Sequence, residues 1–183
     1  MTTLVAVAGS LRQGSFNQML LKAALEVAPK DVKIDVASIK GIPVYDGDIE
    51  SAGIPEAVKT LKEKIAAADG LLLVTPEYNH SMPGSLKNAI DWCSRPPADA
   101  PRVFRGKPVA LMGATPGPGG TRLSQAAWLP VLRCLNMTLW TGRLLFIANA
   151  TKAFDAQGRL VDETAKEFLP KFMQEFAEFA RKK

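Results

Sequence analysis

Nine residues, Gly9-Ser10-Leu11-Arg12-Gln13-Gly14-Ser15-Phe16-Asn17, group hydroxyl and amide side chains around one arginine, with no acid among them. An apolar run, Leu4–Ala8, leads into them, and a helical pattern leads out. A helix N-terminus offers free backbone N–H groups and a positive dipole end. Hydroxyl donors and a fixed cation complete what a phosphate monoester needs. Two further loops follow apolar runs. Thr75-Pro76-Glu77-Tyr78-Asn79-His80-Ser81-Met82-Pro83-Gly84 mixes aromatic and polar residues; Gly113-Ala114-Thr115-Pro116-Gly117-Pro118-Gly119-Gly120 is rich in glycine and proline. In an open parallel sheet, ligands bind beyond the carboxyl ends of the strands. Three such loops on one sheet edge describe a site for a flat, phosphorylated ligand.

Rival phosphate sites fit less well. A P-loop needs Gly-Lys-Ser/Thr closing a glycine loop, which is absent; a dinucleotide fingerprint needs G-x-G-x-x-G, whereas Gly9 and Gly14 are the only glycines here. A single phosphate therefore suits the loop better than a pyrophosphate. A serine hydrolase would need a G-x-S-x-G elbow, which is also absent, with His80, the sole histidine, as its only base. His80, Cys93 and Cys134 lack metal-ligand spacing, so no metal site is expected.

The elements that must position these loops alternate along the chain. Strand candidates are Leu4–Ala8, Ile34–Ala37, Leu71–Val74, Val109–Met112 and a fifth around Leu144–Ile147. Leu71–Val74 and Val109–Met112 are apolar without alternation, as strands buried on both faces are. Helical stripes lie between them: Met19, Leu20, Ala23, Ala24 and Val27; Val58, Leu61 and Ile65 after Pro55; Leu86, Ala89, Ile90 and Cys93, ended by Pro96-Pro97. Ser15 and Gln18 have capping-box spacing. A fourth helix covers roughly Thr121–Leu135, with a kink or break expected at Pro130, since an interior proline costs about 3 kcal/mol. Phe168, Phe172, Phe176 and Phe179 stripe the last helix and read as core. Arg95–Lys107 is the longest stretch without a helical pattern. Strand and helix alternate about five times, which gives a single-domain, doubly wound α/β fold with helices on both faces.

Composition narrows the classes further. With 183 residues, 47% of them hydrophobic and 22% charged, the chain is an ordinary globular domain with a net charge of +5. Part of that excess is Arg181-Lys182-Lys183, read as a solvated helix end rather than a nucleic-acid tail. Leu4–Ala8 is too short for a signal or a membrane span, and the two distant cysteines read as reduced thiols. The expectation is a cytoplasmic protein with no nucleic-acid or membrane partner.

Gly9-Ser10-Leu11-Arg12…Ser15-Phe16-Asn17, with Pro76-Glu77-Tyr78-Asn79…Pro83-Gly84…Leu86-Lys87-Asn88-Ala89…Asp91-Trp92, resembles the NAD(P)H-dependent FMN reductase family, in its bacterial chromate and quinone reductase branch. The resemblance runs to at least Arg122. It implies a flavodoxin-like, five-stranded parallel sheet of order 2-1-3-4-5 and noncovalently bound FMN, with NAD(P)H as co-substrate. Carried over by position, Ser10, Arg12, Ser15 and Asn17 would hold the FMN phosphate, with Phe16 in the same loop. Pro76, Glu77, Tyr78 and Asn79 would line the isoalloxazine, largely through backbone groups. The Thr115–Gly120 loop, with Thr115, Gly117 and Gly119, would close over the pyrimidine side. The resemblance also implies self-association as a dimer or tetramer.

Each role has a plainer alternative. Arg12 is otherwise a surface charge, Ser15 an N-cap, Asn17 a water-facing residue of an early helical turn, and Tyr78 a half-buried aromatic. Glu77 reads as structural, through its backbone, rather than as a general base. Lys87 and Asp91 stand at i, i+4 and are able to pair, and Trp92 and Trp128 read as core or subunit contacts. The flavin carries the chemistry, so no catalytic side chain is required. The leading reading is a reductase of quinones, chromate or related small-molecule acceptors. An enzyme that releases reduced FMN and a flavodoxin-type electron carrier are the alternatives. The net charge and Arg12 disfavour the carrier, which is usually acidic and binds phosphate without arginine.

Overall fold

The computed structural model describes residues 1–181. In chain order its elements are β1 (Thr2–Ala8), α1 (Phe16–Glu26), β2 (Val32–Ala37), α2 (Gly47–Ala52), α3 (Glu56–Ala67), β3 (Gly70–Val74), α4 (Gly84–Cys93), α5 (Ala100–Phe104), β4 (Pro108–Ala114), α6 (Arg122–Cys134), β5 (Thr138–Leu139), β6 (Leu145–Ile147), α7 (Ala150–Ala153) and α8 (Glu163–Arg181). The strands form one parallel sheet of order β2-β1-β3-β4-β5, and β6 also pairs with β4.

The unalternating strands serve two cores at once. Leu72 and Val74 of β3 join Leu4, Ala6 and Ala8 of β1 in a core under α1, α7 and α8. Their neighbours Leu71, Leu73, Val5 and Val7 face the opposite core, under α3, α4, α5 and α6. A helix covers each face, so no position on the inner strands needs to be polar. The last helix supplies Leu169, Phe172, Met173 and Phe176, each at most 1% exposed; burying each contributes about 1.5–3 kcal/mol. Phe168 and Phe179 pack partly buried at the margin of the same core. Trp92 and Trp128 are fully buried within the chain.

Three local expectations are corrected and one is extended. The fifth strand is present as expected, as β6 paired with Met112–Ala114, but a short strand that was not expected, β5, precedes it and pairs with Pro108 and Val109. Between β5 and β6 the chain detours through Trp140, whose ring packs edge-on to Phe172 at 5.0 Å. Burying that indole outweighs continuing the ladder. Arg95–Lys107 contains α5, whose Val103 and Phe104 are fully buried. Pro130 does not break α6; it lies on the exposed face, while Trp128 and Leu132 anchor the helix on the other. The capping box does not form, because the Gln18 amide donates to the Ser10 carbonyl instead of returning to Ser15. At the C-terminal end, Arg181 binds Asp31 and Thr2; Lys182 and Lys183 lie outside the described residues. No described helix is long and apolar enough to cross a membrane.

Candidate functional site

At the carboxyl ends of β1, β3 and β4, a cleft of about 380 Å³ is lined by Ser10, Arg12, Ser15, Phe16, Asn17, Pro76, Glu77, Tyr78, Ala114, Thr115 and Pro116. Neighbouring segments press very close to the backbone here. A Cβ on Gly9 would lie 2.8 Å from Leu86 Cδ2, and one on Gly113 would lie 2.2 Å from the Thr75 carbonyl oxygen. Glycine at the ends of β1 and β4 is therefore a packing requirement.

One end of the cleft is the start of α1. Ser15 is its N-cap, accepting from the Asn17 N–H at 3.2 Å, so the capping alternative for Ser15 holds. Ser10 is 4% exposed and accepts from the Arg12 N–H. The Arg12 guanidinium lies 5.9 Å from the Phe16 ring centroid and has no carboxylate partner among the described residues. The N–H groups of Leu11, Gln13 and Gly14 are likewise unpaired among the described residues. Positive charge, two buried hydroxyls, unpaired amides and a helix N-terminus converge on one spot.

Asn17 lines the cleft, but its side chain is committed elsewhere. Its Nδ2 donates to the Ala114 carbonyl at 2.8 Å, and its Oδ1 accepts from the Ala114 N–H at 2.9 Å. It is 3% exposed, so the water-facing alternative is wrong. The side chain acts as a strand-like partner that ties α1 to the end of β4.

The opposite wall begins at Pro76. Glu77 corrects its expectation: the carboxylate, not only the backbone, is engaged. Its Oε2 accepts from the N–H groups of Leu123 at 2.9 Å and Ser124 at 3.1 Å in the first turn of α6. Below it lies a buried polar network: Ser124 Oγ donates to the Pro76 carbonyl and pairs with Thr75 Oγ1, which accepts from Trp128 Nε1 at 3.1 Å. Tyr78 is 50% exposed, and its backbone pairs both ways with Ser81. Asn79 and His80 both have positive φ, 50° and 60°, which makes the tip a type I′ turn. Lys87 and Asp91 pair with each other at 2.8 Å.

The glycine-rich loop is anchored from β6. Thr115 N–H donates to the Ile147 carbonyl, Ala150 N–H to Thr115, and Asn149 N–H to Gly117. Thr115 lines the cleft, whereas Asn79, Gly117 and Gly119 do not. Ala114, Thr75, Ser124 and Trp128 were missed from sequence. Hydroxyl residues at a strand end and in a helix's first turn were the available signal. Among the described residues, no cluster of three or more His, Cys, Asp or Glu could hold a metal.

Known proteins share this chain along nearly its whole length. It is 44% identical over 171 residues to an NAD(P)H-dependent FMN reductase of Pseudomonas aeruginosa, covering 93% of this chain and 91% of that one. It is 41% identical over 178 residues to a 2-hydroxy-1,4-benzoquinone reductase of Burkholderia sp., covering 97% and 96%. The solved structure of FerB, a flavoenzyme NAD(P)H:(acceptor) oxidoreductase from Paracoccus denitrificans, superposes with a TM-score of 0.89 at 34% identity, covering 100% of this chain and 98% of that one. Residues 2–152 match the pattern of one family, and the chain belongs to it: the NADPH-dependent FMN reductases.

Proposed function

We propose that this protein reduces quinones with electrons from NAD(P)H, and that FMN occupies the cleft at the ends of β1, β3 and β4. The carrying observation is Arg12, without a carboxylate partner among the described residues, beside the buried hydroxyls of Ser10 and Ser15 at the start of α1. That group fits a terminal phosphate. Phe16, Pro76, Tyr78 and Thr115 provide apolar and polar walls for a flat ring, with Glu77 behind them. In this reading Asn79 reaches the ring through backbone groups of its turn, and Gly117 and Gly119 form the outer part of the loop over the pyrimidine side. Asn17 shapes the phosphate end through Ala114 and does not bind phosphate with its amide.

FMN held in this cleft would supply two-electron hydride chemistry, by which NAD(P)H, a proton and a quinone would give NAD(P)⁺ and a hydroquinone. The protein's part is to bind, orient and exclude. One cleft serving both substrates in turn gives ping-pong kinetics. A net charge of +5 favours encounter with anions such as NADPH and chromate. Exposed Leu123 and Leu129 on α6 support self-association as a dimer or tetramer. A cytoplasmic setting suits the reduced thiols.

Turnover against benzoquinone, chromate, an azo dye and free FMN, each with NADH and with NADPH, tests the reading. The quinone is expected to show the highest kcat/KM; preference for free FMN replaces quinone reduction with flavin supply. Flavin that stays oxidised when NADPH is added to the purified protein identifies a carrier instead.

A further inference from the structure

Among the described residues Glu77 is the single acid lining the cleft, and it caps a helix to which it does not belong. No side chain of the Thr121 cap position closes the start of α6, and its first turn holds no acid. Oε2 of Glu77 fills that role from another loop, accepting from the Leu123 and Ser124 N–H groups. Ser124 Oγ then returns to the Pro76 carbonyl at 2.9 Å. The bonds run both ways between α6 and the wall segment, so the wall cannot move away from the helix without breaking them.

The charge has a consequence of its own. A helix N-terminus carries about half a positive elementary charge, which would favour an electron-rich ring nearby. A full carboxylate charge on that terminus reverses the sign of the local field. Adding electrons to a ring beside it is thereby made harder.

We infer that Glu77 is a positioning residue with two separable effects: it fixes the Pro76–Tyr78 wall against α6, and its charge lowers the reduction potential of bound FMN. The inference rests on FMN occupying this cleft. A lower potential makes the bound cofactor a stronger reductant toward quinones, at the expense of a smaller driving force from NAD(P)H.

Two variants separate the effects. Glu77→Gln keeps an oxygen acceptor for the α6 amides but removes the charge. Glu77→Ala removes both. FMN affinity is read by fluorescence titration of apo-protein, and the potential by equilibration against a reference dye. Glu77→Gln is expected to bind oxidised FMN within a few-fold of the parent while favouring the reduced over the oxidised cofactor about tenfold more, an upward shift of about 30 mV for a two-electron couple. Glu77→Ala is expected to bind oxidised FMN at least tenfold more weakly and to lower the melting temperature of the apo-protein. An unshifted potential in Glu77→Gln overturns the electrostatic effect, and parental affinity in Glu77→Ala overturns the positioning effect. Parent protein that binds no FMN overturns the cleft assignment instead.

Discussion

Replacing Asn17 should damage the fold and the cleft together, and the size of the loss follows from its two bonds to Ala114. Both residues are buried, Asn17 at 3% and Ala114 at 2% exposure. Asn17→Ala leaves the N–H and C=O of Ala114 without partners. Each stranded group costs about 1–3 kcal/mol, so the variant should lose about 2–6 kcal/mol. For a chain of this size each kcal/mol moves the midpoint by about 2–4 °C, so the loss should lower Tm by about 10 °C. Asn17→Asp is nearly isosteric and adds a pH signature. It keeps the acceptor for the Ala114 N–H, but sets an oxygen against the Ala114 carbonyl where Nδ2 now donates at 2.8 Å. Burial and the facing carbonyl raise the pKa of the introduced carboxyl above its unfolded value. A raised pKa means the folded state holds its proton more tightly. The deficit is therefore least at low pH, where the protonated group donates, and grows as pH rises toward the folded pKa. Scanning calorimetry of parent and both variants at about pH 5 and pH 8 is the assay. The gap to the parent should widen with pH for Asn17→Asp and stay flat for Asn17→Ala. A midpoint for Asn17→Ala within about 2 °C of the parent, or a flat Asn17→Asp gap, would refute the reasoning.

Three other outcomes are expected. Arg12→Ala should weaken FMN binding by about 1.5–3 kcal/mol, or about 10- to 150-fold, and leave riboflavin binding unchanged; equal affinity for FMN in parent and variant removes Arg12 from the phosphate site. Asp99→Asn should lower Tm by several degrees, because Lys62, with a 5% exposed side chain, pairs with Asp99 at 2.6 Å. Hydrogen bonds from Arg102 and Lys62 hold the Asp99 carboxyl below the usual range, so the parent's advantage is full above about pH 4 and shrinks as pH falls toward that lowered value. In thiol titration of native protein near pH 8, Cys134, which is exposed, should react at once. Cys93, buried and with its thiol pushed up to about 12 by desolvation, should react only on unfolding; two fast equivalents would contradict its packing.

What sequence could say depended on range. Leu71–Val74 and Val109–Met112 are apolar at every position, and that alone placed them inside a parallel sheet with the three loops at one edge. Asn17 defeated local reasoning because its partner is 97 residues away. As an early-turn helical residue it was equally compatible with water. Glu77 defeated it in the same way, with its amides 46 and 47 residues on. Gln18 had two acceptors in reach, and capping-box spacing does not say that Ser10 wins over Ser15. The unbroken helix at Pro130 and the extra strand β5 escaped for another reason. Propensity prices a proline or a short strand by itself, whereas Trp128 and Trp140 settle those segments by filling the two cores.

The divided edge strand gives one short segment two duties. β5 lies against the beginning of β4 with both of its residues half-buried, whereas β6 lies against its end, buries Leu145 and Ile147 in the core, and holds the Thr115 loop through the Ile147 carbonyl. A substitution in β6 therefore reaches the core and the loop at once, because the seat of the loop and the packing beneath it are held by the same three residues.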